Sequence, residues 1–198
     1  AKYIDLEEDL SGKIGADTAR HPLPSPDMWL KKVSHLGLSS NKLIVAYDAG
    51  HGMFAARLWW MLSWAGLEDI CLLDGGFAEW IRLGLPVETG DDSVVAEPTE
   101  FVGLFDHRRY VDADCVLAQL NSEKTLIVDA REPERYRGEK ESLDKKAGCI
   151  PGAINRHFVK NLSGGLFKPP DQLETEFKHL IGGVQSSRVI HSCGSGVT

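Results

Sequence analysis

The chain has 198 residues, 29 acids against 22 lysines and arginines, and a formal net charge of −7. An acidic balance argues against nucleic acid and anionic membranes as partners, while 42% hydrophobic residues permit a real core. No apolar run reaches membrane-spanning length, and the four cysteines show no metal-binding or Cys-x-x-Cys spacing, so a reduced, cytoplasmic protein without metal or cofactor is expected.

Residues 1–11 mix acids with apolar residues, and the glycines and prolines of 12–26 forbid a long element. Pro26-Asp27 opens a helix that runs to about Leu36. Leu43 to Tyr47 reads as a buried strand, Met53 to Trp64 as a helix apolar on nearly every face, and Ile70 to Leu73 as another buried strand. A turn at Asp74-Gly75-Gly76 leads into a short helix through Trp80. Trp59, Trp60, Trp64 and Trp80 read as core. Strand, helix, strand, helix is the pattern of a parallel sheet. Residues 88–107 are polar and read as a linker.

A second unit then begins. A helix is expected over 114–120 and a strand over 125–129. The charged stretch 131–147 reads as a long loop without a helix, and Gly148 to Ile154 as a turn into a strand. Asp171 to Ile181 is a helix, and Val189 to His191 is the strand that delivers Cys193.

The two halves repeat each other. Pro26-Asp27, His35-Leu36 and Ser39-Ser40 precede an apolar strand and Asp48; Pro170-Asp171, His179-Leu180 and Ser186-Ser187 precede an apolar strand and Cys193. Asp27 and Asp48 stand 21 positions apart, Asp171 and Cys193 22. One supersecondary unit therefore occurs twice. Asp48 takes the place of Cys193 in the first copy, and a carboxylate carries no transferable sulfur.

The second copy ends Cys193-Gly194-Ser195-Gly196-Val197-Thr198. A strand that stops at a cysteine and turns through glycine presents the thiol at the carboxyl end of the sheet, where open α/β sheets place their sites. Successive N–H groups of residues 194–198 form a nest for an anion, a field that favours the thiolate. An inert cysteine beside a glycine turn fits the spacing equally well.

Cys-Gly-Ser-Gly-Val-Thr resembles the active-site loop of the two-domain sulfurtransferases, the rhodanese family, in its 3-mercaptopyruvate form. Thiosulfate members usually carry charged residues after the cysteine, and none stand here. Gly148 to Ala153 resembles the family's Gly-His-Ile-Pro-Gly-Ala signature, with Cys149 in place of histidine and read as a packing residue. The resemblance implies two tandem rhodanese-like α/β domains, each with a mostly parallel sheet flanked by helices. A catalytically silent domain over 1–90, a linker over 91–110 and a catalytic domain over 111–198 are expected. It also implies a family fold that continues beyond both ends of this chain.

By the same resemblance Cys193 is the nucleophile that carries a persulfide. Ser195 joins a relay with His21, from His-Pro-Leu-Pro, and with Glu7. Arg135 holds the donor's anionic end, with Arg137 beside it, and Gly194, Gly196, Val197 and Thr198 supply the cradle. The family's second arginine is absent; Lys145 or Lys146 stands nearest. Arg57 reads as structural, pairing near a domain interface. The implied partners are a small anionic sulfur donor and a thiol acceptor such as thioredoxin or a small thiol, or cyanide. Thiosulfate as donor, a cysteine phosphatase and a non-catalytic module remain as alternatives. A phosphatase would need an arginine at position 199, beyond the chain.

Overall fold

A computed structural model describes residues 1–90 and 97–198, so the first six residues of the expected linker, 91–96, lie outside the described residues. The chain falls into two compact units, Ala1–Arg109 with Ser195–Val197, and Tyr110–Gly194 with Thr198.

In the first unit, helix α1 spans Pro26–His35. Ser25 caps it, its side chain accepting the Met28 N–H at 3.3 Å, and Pro26 supplies a preset φ at the first position. Trp29 and Val33 on one face are fully buried, and the Trp29 indole donates to the Met61 carbonyl at 3.0 Å. Helix α2 spans Met53–Trp64 and buries Ala55, Arg57, Met61, Leu62 and Trp64. It is not buried all round: Phe54 is 42% exposed and Trp59 38%. Burying each large apolar side chain here contributes about 1.5–3 kcal/mol, which fixes the helix by one face and leaves the other in water. Of the four tryptophans read as core, Trp64 alone is fully enclosed, while Trp60 and Trp80 are half-buried.

Strands β1, Ile44–Ala46, and β2, Ile70–Leu72, pair in parallel with Val45 opposite Cys71. Val45 and Cys71 are both exposed, so neither strand is buried on both faces. Helix α3, Gly76–Arg82, opens at Gly76 just after Gly75, and the two adopt left-handed φ of 58° and 76°. At Gly76 an added Cβ would lie 2.7 Å from the Asp48 carbonyl, so only glycine lets α3 start this close to the end of β1. From Thr99 on, the stretch read as linker is tied to this unit. Thr99 N donates to Ser34 O, Leu104 N to Ala65 O and Asp106 N to Trp64 O, at 3.0–3.1 Å. Phe105 meets the Trp64 ring edge-on at 4.5 Å.

The second unit is built on a three-stranded parallel sheet of order β4-β3-β7: Ile154–Asn155, Leu126–Asp129 and Val189–Ser192. The central strand buries Ile127, Val128 and Asp129. Register pairs Asp129 with both Asn155 and Ser192, so the sheet ends level, just before Cys193. Helix α4 spans Ala113–Gln119, capped by Asp112, whose side chain accepts the Cys115 N–H at 2.8 Å. The charged stretch after β3 contains a one-turn helix, α5, over Pro133–Tyr136, started by its proline. A hairpin of β5, Leu162–Ser163, and β6, Leu166–Phe167, turns through Gly164 and Gly165, both at positive φ. Helix α6, Pro170–Ile181, ends at Gly182, also at positive φ. None of the four cysteines forms a disulfide; Cys193 is half-buried, and Cys149 is exposed rather than packed.

Candidate functional site

The end of β1 shows what the repeated turn can hold. The Asp48 carboxylate accepts four backbone N–H groups. Oδ1 takes those of Gly50 and Gly52 at 2.9 and 3.0 Å, and Oδ2 those of Phe54 and Ala55 at 3.0 and 3.3 Å. Phe54 and Ala55 open α2, so an unsatisfied helix N-terminus and a turn nest converge on one anion. The first copy thus fills its anion cradle with its own side chain.

In the second copy the chain leaves β7 at Ser192 and reaches Cys193 at once. Ser195, two positions on, belongs to the first unit, as do His21 and Glu7. His21 Nδ1 lies 2.8 Å from Ser195 Oγ, although 174 positions separate the two residues. The other ring nitrogen, Nε2, lies 3.6 Å from Glu7 Oε1. The histidine side chain is 13% exposed and the glutamate side chain 71%. A largely enclosed imidazole thus has a hydroxyl on one nitrogen and a solvated carboxylate near the other. At 3.6 Å Glu7 is past hydrogen-bond reach, and an exposed pair of this kind contributes about 0–1 kcal/mol. Were Nε2 to carry the proton facing Glu7, Nδ1 would accept from the serine O–H.

Arg57 stands on the buried face of α2, 4% exposed. Its guanidinium donates to the carbonyls of Leu10, His21, Pro22 and Gly196. Reading it as a structural residue missed this contact with the histidine's own backbone; no sequence signal tells a carbonyl-binding arginine from any other. Gly196 adopts φ +78°, so a glycine is required where its carbonyl turns to Arg57. Val197 is 8% exposed and anchors the loop, while Thr198 is exposed. His51, in the loop after β1, is exposed.

In the second unit Arg135 lies on α5 and is 14% exposed. Its fork is occupied. Nε and Nη2 reach both Glu141 oxygens at 2.9–3.2 Å, and Nη2 also reaches Asp144 Oδ2 at 2.8 Å. Arg131 lies 3.6 Å from the same Glu141 and chelates buried Asp129, with Nη2 also on the Gly148 carbonyl at 2.7 Å. The Leu143 and Asp144 N–H groups, and then Arg135, hold the Glu141 carboxyl down at about 2. Arg137 is exposed, half its side chain in water, and pairs with Glu139. Arg135 therefore sits inside a network of charges and Arg137 outside it. Glu141 and Asp144 went unread in the sequence because a run of mixed charges does not reveal which carboxylate folds back. Among the described residues no three histidine, cysteine or acidic side chains cluster to hold a metal, and no helix is long and apolar enough to cross a membrane.

Comparison with known proteins agrees with this architecture. A family model described as "Rhodanese-like domain" matches residues 14–83 and 112–198. The chain is 43% identical to a Pseudomonas aeruginosa protein named "Probable 3-mercaptopyruvate sulfurtransferase", over all of this chain and 70% of that one. It is 34% identical to the 3-mercaptopyruvate sulfurtransferase of Escherichia coli, over 90% of this chain and 63% of the other. The crystal structure of SseA from Escherichia coli, described as a 3-mercaptopyruvate enzyme of "Rhodanese" fold, superposes with a TM-score of 0.82 and 34% identity. That match covers 98% of this chain and 71% of SseA. This chain thus spans between about three-fifths and seven-tenths of the length of these relatives. With two rhodanese-like domains in tandem and 43% identity along its own length to a probable 3-mercaptopyruvate sulfurtransferase, the chain belongs to the rhodanese family.

Proposed function

We propose that the protein moves a sulfane sulfur from 3-mercaptopyruvate to a thiol or cyanide acceptor through a persulfide on Cys193. The Cys193 thiolate attacks the donor's sulfur. The carbon–sulfur bond breaks, its electron pair passes into the neighbouring ketone as the enolate of pyruvate, and Cys193 is left as Cys–S–SH. A proton then converts the enolate to pyruvate. Attack by the acceptor thiolate or cyanide on the outer sulfur restores the Cys193 thiolate, a ping-pong cycle.

The observation that carries this reading is the 2.8 Å contact of His21 with Ser195, two residues past Cys193. A ketone donor makes an enolate that must gain a proton, and a serine hydroxyl backed by an imidazole supplies one. Thiosulfate leaves as sulfite and needs no such proton. In this reading Glu7 biases the imidazole from outside, and the backbone of Gly194, Gly196, Val197 and Thr198 cradles the sulfur as the loop after Asp48 cradles a carboxylate. Arg135 receives the donor's carboxylate once Asp144 gives way, with Arg137 and Lys145 or Lys146 adding charge at longer range. The acceptor is a small thiol, a thioredoxin-like protein or cyanide, and four cysteines without a disulfide suit a reducing compartment such as the cytoplasm.

A Mycobacterium tuberculosis relative, 36% identical over 78% of this chain and 54% of its own, is named provisionally for thiosulfate. Steady-state rates with both donors decide between them. A kcat/KM higher for 3-mercaptopyruvate, and a Ser195→Ala variant impaired with that donor but not with thiosulfate, is expected. Equal loss with both donors contradicts the proton-delivery role.

A further inference from the structure

We infer that Arg57 is the positioning residue of the His21–Ser195 pair, its guanidinium locking together the two backbone segments that carry them. The inference rests on the reading of that pair given above. Nε and Nη2 donate to Leu10 O at 3.1 and 2.6 Å, and Nη2 also donates to His21 O at 3.1 Å and Pro22 O at 3.3 Å. Nη1 donates to Gly196 O at 2.8 Å, one residue past Ser195. One planar group therefore sets the distance between the histidine's own carbonyl and the serine's neighbour.

Both segments lie outside regular secondary structure. Residues 11–25 form no helix or strand, and neither do residues 193–198. Gly12 N donates to Pro22 O at 2.8 Å, at the base of the histidine loop. A misplacement of about 1 Å can cost about a hundredfold in rate, so a proton path at 2.8 Å depends on what holds these two segments in place. The guanidinium has the required shape: its donors are fixed in a plane and diverge to several acceptors, and a lysine ammonium cannot reproduce that.

Arg57 is itself held. It lies one turn into α2, whose opening N–H groups at Phe54 and Ala55 bind the Asp48 carboxylate. Asp48 pins the start of α2, α2 presents Arg57, and Arg57 sets His21 against Ser195. All of these residues, Ser195 and Gly196 included, lie in the first unit, which thus holds the His21–Ser195 pair with its own framework.

The test is a double-mutant cycle on the whole protein, reading kcat/KM for 3-mercaptopyruvate in Arg57→Lys, His21→Gln and the double variant, with melting temperatures. Sulfur loading of Cys193 in the unaltered protein is measured first; if none occurs, the reading of the site fails before Arg57 is at issue. With loading established, Arg57→Lys should lower kcat/KM by about tenfold to a hundredfold, the usual effect of a displaced catalytic group. In the His21→Gln background the same change should cost less than about twofold, because the geometry it sets no longer matters. Equal losses in both backgrounds would mean that Arg57 only supports the fold, and would overturn the inference. Where Arg57→Lys does not fold, Arg57→Gln repeats the cycle, and nitrogen NMR of the unaltered protein gives a further readout. Slowly exchanging, distinct Arg57 Nη protons are expected from a clamped guanidinium, and rapid averaging would contradict the clamp.

Discussion

Asp144 Oδ2 lies 2.8 Å from Arg135 Nη2, on a guanidinium that Glu141 already holds with both oxygens. The Glu141 side chain is 5% exposed and that of Asp144 26%. Asp144 is the more exposed of the two and, under the role proposed for Arg135, the one a donor carboxylate would replace. Asp144→Asn should therefore lower KM for an anionic donor about twofold to fivefold, the range of a half-exposed ion pair. Arg135→Ala should raise KM, since truncating one member of a desolvated charge pair costs about 2–5 kcal/mol. Arg137→Ala should do little. If Asp144→Asn raises KM instead, Asp144 orders the loop rather than competing for Arg135.

Acid should loosen the second unit first. Glu141 is held at about 2 by backbone N–H groups and Arg135, and Glu176 at about 2 by Lys168, Arg156 and Gln172. Both ordinarily titrate near 4.5, so each is depressed in the folded state. A depressed carboxyl contributes stability that is complete above its unfolded value and is lost as pH falls through the folded value. Stability should therefore decline between about pH 4.5 and 2. Glu141→Gln should flatten that decline in a series of thermal melts. An unchanged slope would show that Glu141 is not its source.

Removing the Asp48 carboxylate leaves the Gly50, Gly52, Phe54 and Ala55 N–H groups without it. Asp48→Ala should cost about 1–3 kcal/mol of stability, the usual penalty for stranding polar groups. At temperatures where the variant stays folded, Cys193 should still accept sulfur, more slowly to the extent that α2 carries Arg57 out of place. Complete loss of sulfur loading in the folded variant would mean that Asp48 takes a direct part in the chemistry.

Two tryptophans separate burial from composition. Trp29 is fully buried and donates to Met61 O, whereas Trp59 is 38% exposed. Trp29→Ala should cost about 3–5 kcal/mol, and Trp59→Ala a small fraction of that. Denaturant melts of both variants check the difference, and similar losses would contradict the described packing of α2.

Much of this was legible in the sequence because local chemistry and period agreed. Pro26-Asp27 marks the start of α1 and Pro170-Asp171 the start of α6. The parallel strands β3 and β7 stand out as short apolar runs. The repeat aligned Asp48 with Cys193, but no sequence feature shows an aspartate turning its oxygens back onto its own loop. The strands β5 and β6 are two residues each, too short for any alternation to register. Helix α5 hides in charges because one turn needs only a proline and four helical residues. Trp59 and Phe54 mislead because an apolar helix need not be enclosed; burial depends on what packs against each face. The charge network around Arg135 and the carbonyls around Arg57 depend on distant backbone, to which periodicity is blind.

The most direct measurement is mass spectrometry of the protein digested under non-reducing conditions after exposure to 3-mercaptopyruvate. A gain of one sulfur atom on the peptide that contains Cys193, and none on those with Cys71, Cys115 or Cys149, is the predicted result; that sulfur should leave when a thiol or cyanide is added. No added sulfur at Cys193, or sulfur on another cysteine alone, would contradict the proposed persulfide chemistry.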